Sequence, residues 1–184
     1  MNGAIHKRAF TLIELLVVIG IIGVLSAVVL TSLQNSRERA IATQIAAELR
    51  SMNQAFRIDA IDRNSRSDYP LESSYGISGQ NPWIQSIINA GYLESLTDMS
   101  DSRIGDGRYR YDNDGDQYIS ASCGSSSPSF SGVSIIIFGV TDPNELGVVN
   151  EIDEILDGGD GLGCGNVRYR TSNGLFGYIL DDNA

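Results

Sequence analysis

Three patterns of apolar and polar positions follow one another along the chain. From Phe10 to Leu30, FTLIELLVVIGIIGVLSAVVL, nearly every position is apolar. Such a run spans about 31 Å as a helix, close to the thickness of a hydrocarbon core. Further on, Ile41, Ile45, Leu49, Met52 and Phe56 recur at spacings of four, four, three and four. That is the period of an amphipathic helix. Arg37, Glu38, Arg39, Glu48 and Arg50 mostly take the other faces. No Gly or Pro occurs between Val24 and Tyr69, so the two patterns read as one helix from about Phe10 to Ile61, roughly 75–80 Å long. The polar run Asp62 to Asp68 ends it.

The third pattern is short and broken. Asn81-Pro82 supplies a cap followed by Pro at the first helical position, and Trp83, Ile84, Ile87, Ile88 and Tyr92 follow with a helical period, with Gly91 near its stop. Arg108 to Asp112 and Gln117 to Ala121 flank an Asp-Gly turn and read as a hairpin. Val133 to Val140 reads as a buried strand. Val167 to Arg170 and Leu175 to Leu180 form a second hairpin around Thr171 to Gly174. Ser125 to Ser131 is a loop, and Asn144 to Asp160 receives no assignment. The stripe on the long helix needs a cover. A coiled-coil seam is the alternative, but the stripe lasts little over two heptads, and a sheet laid over it is more economical. The expected class is α+β, with a long N-terminal helix, transmembrane in its first half, packed on an antiparallel sheet of about four strands.

Charge narrows the partners. The net charge is −10 over 184 residues, and Lys7 and Arg8 precede the apolar run, so the rest of the chain is more acidic still. Nucleic acid is not indicated, because phosphate binding needs Lys or Arg clusters. The two cysteines, Cys123 and Cys164, lie downstream of the run. In an exported domain such a pair reads as a disulfide, worth about 4 kcal/mol in the chain-entropy account. Two buried, reduced thiols are the alternative for a cytosolic location.

One residue does not belong in the first pattern. Glu14 lies inside the apolar run, where a carboxylate costs roughly 2–3 kcal/mol. The basic pair Lys7-Arg8 before the run holds that end in the cytoplasm. A secretory signal peptide needs a small-residue cleavage site after a shorter apolar region, and here Ser26-Ala27 falls inside the run.

Lys7-Arg8-Ala9-Phe10-Thr11-Leu12-Ile13-Glu14, followed at once by an apolar helix, resembles the class III signal of type IV pilins and type II secretion pseudopilins. The resemblance implies cleavage between Ala9 and Phe10 by a prepilin peptidase, N-methylation of Phe10, and retention of the apolar segment. The family usually has Gly where this chain has Ala9, and many members have Pro where it has Thr31. The resemblance also implies a role for Glu14. Cutting before Phe10 creates a cationic amine one helical turn away. In a bundle of packed subunits, that amine pairs with Glu14 of a neighbour, setting register more than adding stability. A simple anchor whose Glu14 snorkels to the headgroups is the plainer alternative.

Asp112, Asp114 and Asp116 begin like an EF-hand calcium loop. The sixth position is then Gln117 rather than Gly, and the twelfth is Cys123 rather than Glu. An Asp-rich hairpin turn explains them as well. Asp153, Asp157 and Asp160 form a second candidate, since some secretion pseudopilins bind calcium in a late loop. No other cofactor is indicated.

Catalysis is disfavoured by inventory. His6 and Lys7 are the sole His and Lys, and both leave with the leader, which removes His-based triads and a lysine base. The sequence therefore reads as leader 1–9, membrane and assembly half-helix 10–30, amphipathic half-helix 31–62, and globular head 63–184. The function expected is a filament subunit, a self-assembling homo-oligomer served by prepilin peptidase and inner-membrane assembly machinery. It would sit single-pass in the inner membrane with a cytoplasmic N-terminus, then in an extracellular or periplasmic filament. A monomeric membrane-anchored binding domain, with calcium as its ligand, is the rival.

Overall fold

One uninterrupted helix, α1 (Leu12–Asp62), opens the fold. The computed structural model describes residues 11–63, 69, 82–94, 103–113 and 133–181. The chain divides into two compact units, residues 1–37 and 38–184.

In the first unit α1 buries none of its large apolar side chains among the described residues. Every large apolar side chain from Leu12 to Leu33 is exposed, Leu12 at 82% and Leu33 at 67%. Among the described residues this is the helix long and apolar enough to cross a membrane. Two of its hydroxyls are satisfied within the helix. Thr31 Oγ1 donates to the Val28 carbonyl at 3.0 Å and Ser36 Oγ to that of Ser32 at 2.9 Å, the back-bonding that removes a hydroxyl's demand on its surroundings.

In the second unit the predicted stripe is covered. Ile45, Leu49, Met52 and Phe56 are fully buried, with Ala42 and Ala55 beside them and Ile41 at the margin. The cover is a four-stranded antiparallel sheet, β1 (Arg110–Asp112), β2 (Val133–Ile137), β3 (Val167–Arg170) and β4 (Leu175–Asp181), in the order β1-β2-β4-β3. Ile135, Ile137, Phe176 and Tyr178 enter the same core as the helix stripe. Phe56 of α1 stacks on Tyr111 of β1 with ring centroids 4.2 Å apart. β2 lies between two strands and is buried on both faces, with Ile136 and Leu175 forming a small second cluster. A doubly buried strand has no reason to alternate, which accounts for the unbroken VSIIIFGV. It stops at Ile137, earlier than expected, where the Phe138 carbonyl turns to accept the Asp106 N–H at 2.7 Å.

The hairpin β3–β4 and the short helix α2 (Pro82–Asn89) fall where the sequence placed them. Of the other hairpin, β1 is present and pairs with β2, while 114–121 and the loop 125–131 lie outside the described residues.

The unassigned stretch is a helix, α3 (Pro143–Asp157). Asp142 caps it, its side chain accepting the Asn144 N–H at 2.7 Å, and Glu145 returns Oε2 to the Asp142 N–H at 3.0 Å. Pro143 occupies the first helical position. Gly158 ends the helix in the left-handed region at φ 77°, where a side chain would be strained. Val148, Val149 and Ile152 face the core.

One placement on α1 corrects the sequence reading. Glu48, assigned to an outer face, is 9% exposed and lies inside the core. It is tolerated there because three donors converge on it. Tyr109 Oη donates at 2.7 Å, Arg103 Nη2 reaches both carboxylate oxygens at 3.1 and 3.2 Å, and Gln44 Nε2 lies at 3.3 Å. A charge buried with its partners escapes the isolated-ion penalty.

Candidate assembly segment and cation site

Glu14 has a partner inside its own helix. α1 starts at Leu12, which makes Thr11 the N-cap and Glu14 the third helical residue. The Thr11 N–H and the Thr11 hydroxyl each donate to Glu14 Oε2 at 2.8 Å, and the Glu14 N–H donates back to Thr11 Oγ1 at 3.3 Å. This is a capping box. The carboxylate also sits at the positive end of the helix dipole. Oε2 therefore takes both Thr11 donors, and Oε1 makes no hydrogen bond among the described residues. The motif Thr-x-x-Glu before an apolar run was visible in the sequence, and Thr11 is the residue that the reading of Glu14 overlooked.

The other predicted positions divide unevenly. Ala9, Phe10, Asp114, Asp116 and Cys123 lie outside the described residues. Cys164, in the turn before β3, is not a free thiol. Asp112 ends β1, opposite Ser134, and its side chain is buried in the sheet at 2% exposure.

The later acidic group does converge. Asp153 and Asp157 lie one turn apart at the end of α3, and Asp160 follows the Gly158 cap. One oxygen from each lies within 4.8 Å of the others. Asp157 is tied down, its Oδ2 accepting the N–H groups of Asn166 and, at 3.1 Å, Val167. That links the end of α3 to the start of β3. Asp153 Oδ2 accepts the Gly161 N–H at 3.1 Å, while Asp153 Oδ1 is buried with no hydrogen-bond partner among the described residues.

Burial pushes the Asp153 carboxyl above the usual range. The Gly161 N–H opposes this, and the charges of Asp160, Asp157 and Glu154 add to it. A buried, unpartnered carboxylate oxygen among like charges is costly. A divalent cation bound there would offset that cost. Oxygens on opposite sides of a calcium ion lie about 4.6–5.2 Å apart, so the three groups fit around one. Backbone carbonyls and water would complete its six to eight ligands.

Comparison with known proteins supports the signal at the start of the chain. The family described as the prokaryotic N-terminal methylation motif matches residues 5–30. The chain is 29% identical over 94 residues to the type II secretion system core protein G of Klebsiella pneumoniae, an alignment covering 50% of this chain and 66% of that protein. No solved structure matches. The long apolar helix on a four-stranded antiparallel sheet is a pilin-like fold. The chain thus carries the N-terminal methylation motif and is distantly similar, over half its length, to a type II secretion protein.

Proposed function

We propose that the chain is a structural subunit of a type IV pilus or pilus-like filament. Prepilin peptidase cuts between Ala9 and Phe10 and methylates the new terminus. The subunit waits in the inner membrane, N-terminus cytoplasmic, with 10–30 as its anchor, 31–62 as the half-helix carrying the head, and 63–184 as that head. The pilus or secretion machinery then draws it into an extracellular or periplasmic filament of like subunits.

The observation that carries this reading is the exposed run Leu12–Leu33 with a single acid, Glu14, held at its start. A run so apolar is stable only in lipid or against copies of itself. The first environment serves before assembly and the second after it. Glu14 Oε1 faces outward for the amine of a neighbouring Phe10, so Thr11 positions the carboxylate that sets register. Cys123 and Cys164 pair to close the loop leading into β3. The test is Glu14→Ala expressed in cells. Subunits that insert and are cleaved but form few filaments support the reading, and normal filaments refute it.

The unpartnered Asp153 oxygen favours a second, compatible reading, in which the head binds calcium through Asp153, Asp157 and Asp160. Isothermal titration of the chelated protein with calcium checks it; the absence of saturable heat ends it.

A further inference from the structure

Between Glu14 and Arg37 the helix carries no charged residue. The two lie 23 positions apart, about 35 Å of helix. A hydrocarbon core is about 30 Å thick, and 40–45 Å with its headgroups. With Glu14 at one face of the membrane, Arg37 falls among the headgroups of the other. It stands one turn beyond Leu33, the last residue of the exposed apolar run.

Arg37 is also uncommitted. It is exposed and makes no hydrogen bond or ion pair among the described residues. Of the cations after it on α1, Arg57 is exposed as well but lies 20 positions further along, beyond the headgroups, and two others are engaged. Arg39 turns to Glu151 Oε2 at 3.6 Å, and Arg50 donates to the Ile155 carbonyl at 2.9 Å. Ser36, beside Arg37, spends its hydroxyl on its own helix. The free guanidinium thus coincides with the level at which a membrane presents phosphate.

We propose that Arg37 is a lipid anchor. Its guanidinium takes the phosphate of a headgroup on the far face of the membrane and sets the depth of α1 before assembly. The inference rests on the reading that Leu12–Leu33 spans a bilayer. The chemistry suits the residue, since the planar fork of donors matches phosphate oxygens bidentately, and a long side chain at a helix end reaches to the interface. A neighbouring subunit's carboxylate is the competing occupant, but the unassembled subunit has no neighbour. The anchor matters more after processing. Lys7 and Arg8 hold the near face until the leader is cut, and Arg37 then remains as the cation bordering the span.

The test is solid-state NMR of the full processed chain in vesicles of phosphatidylethanolamine and phosphatidylglycerol, with arginine labelled at Cζ. Dephasing of the guanidinium carbon by lipid phosphorus is compared between the native chain and Arg37→Gln. The anchor predicts dephasing in the native chain and its loss in the variant. Dephasing that is absent, or unchanged by the substitution, overturns it. Phosphorus contact from added inorganic phosphate alone overturns it as well. So does an Arg37→Gln chain that keeps its depth in the vesicle but loses chain-to-chain cross-linking, which assigns Arg37 to a neighbouring copy. Cross-peaks between lipid acyl protons and the methyls of α1 come from the same samples. Their presence without phosphorus contact rejects the anchor and leaves the span standing, whereas their absence rejects the span itself.

Discussion

The hydroxyl of Tyr109 donates to Glu48 Oε2 at 2.7 Å, deep in the head and 61 residues away in sequence. With Arg103 it converts an acid on the buried face of α1 into a tie between the helix and the segment leading into β1. The same segment is held from two other sides. The Gly105 N–H donates to Glu145 Oε1 at 2.9 Å and the Asp106 N–H to the Phe138 carbonyl. Gly105 is at φ 56°, and a Cβ there would collide with the Phe138 carbonyl oxygen.

Breaking this tie from one side is therefore expensive. Glu48→Leu leaves the Arg103 guanidinium buried and uncompensated, and a loss of about 3–5 kcal/mol is expected. Replacing Arg103 by Met in the same chain recovers much of it, because a buried pair is often no better than a packed apolar one. Urea unfolding of the full chain in detergent measures both. Equal losses in the single and double variants would show that the pair is not coupled.

Tyr109 also makes an alkaline prediction. Burial, then the charge of Glu48 and its hydrogen bond, push the phenol well above its ordinary value, against a smaller opposing effect of Arg103. The folded state holds the proton more tightly than the unfolded chain. Its contribution is complete below about pH 10 and is lost as pH rises through the folded value. Tyrosinate absorbance should show a component that appears only with unfolding, missing in Tyr109→Phe. Full, reversible ionisation of every tyrosine in the folded protein would contradict this.

The cap of α3 is a third place to look. Glu145 accepts N–H groups from Thr141 and Asp142 at 3.0 Å each, and that of Gly105 as well. Glu145→Ala removes a capping box and strands a partly buried donor, for about 1–2 kcal/mol. Glu145→Gln keeps an acceptor and loses less. The two melting temperatures relative to the native chain decide it.

For the acidic cluster, calcium should raise the melting temperature of the native chain and leave that of Asp153→Asn unchanged. In chelator the variant should melt at or above the native chain, since the substitution removes a charge from a crowded, buried site. A melting temperature indifferent to chelation removes the cation from the head.

The parts of this protein that follow a period were legible in its sequence. The stripe Ile41 to Phe56 predicted both the helix and the sheet that covers it, and Asn173-Gly174 located the turn between β3 and β4. α3 was missed although its start carries Asp142-Pro143-Asn144-Glu145, a capping box with Pro at the first position. Its apolar residues were obscured by the acids Glu151, Asp153, Glu154 and Asp157, which the fold gathers at one end. Glu48 was misplaced because its partners lie far along the chain, and no local pattern reports a donor 61 residues away. Asp153, Asp157 and Asp160 were candidates through the resemblance to secretion pseudopilins rather than through any spacing. The orphaned oxygen of Asp153 depends on packing and was not visible there.

The central claim is that the chain is processed before Phe10 and that Glu14 then serves an assembled state. The most direct measurement is the N-terminal sequence and intact mass of the mature protein from its native membrane. The expected result is a start at N-methylated Phe10. An intact Met1, or a start near Val28 from conventional signal cleavage, would contradict it.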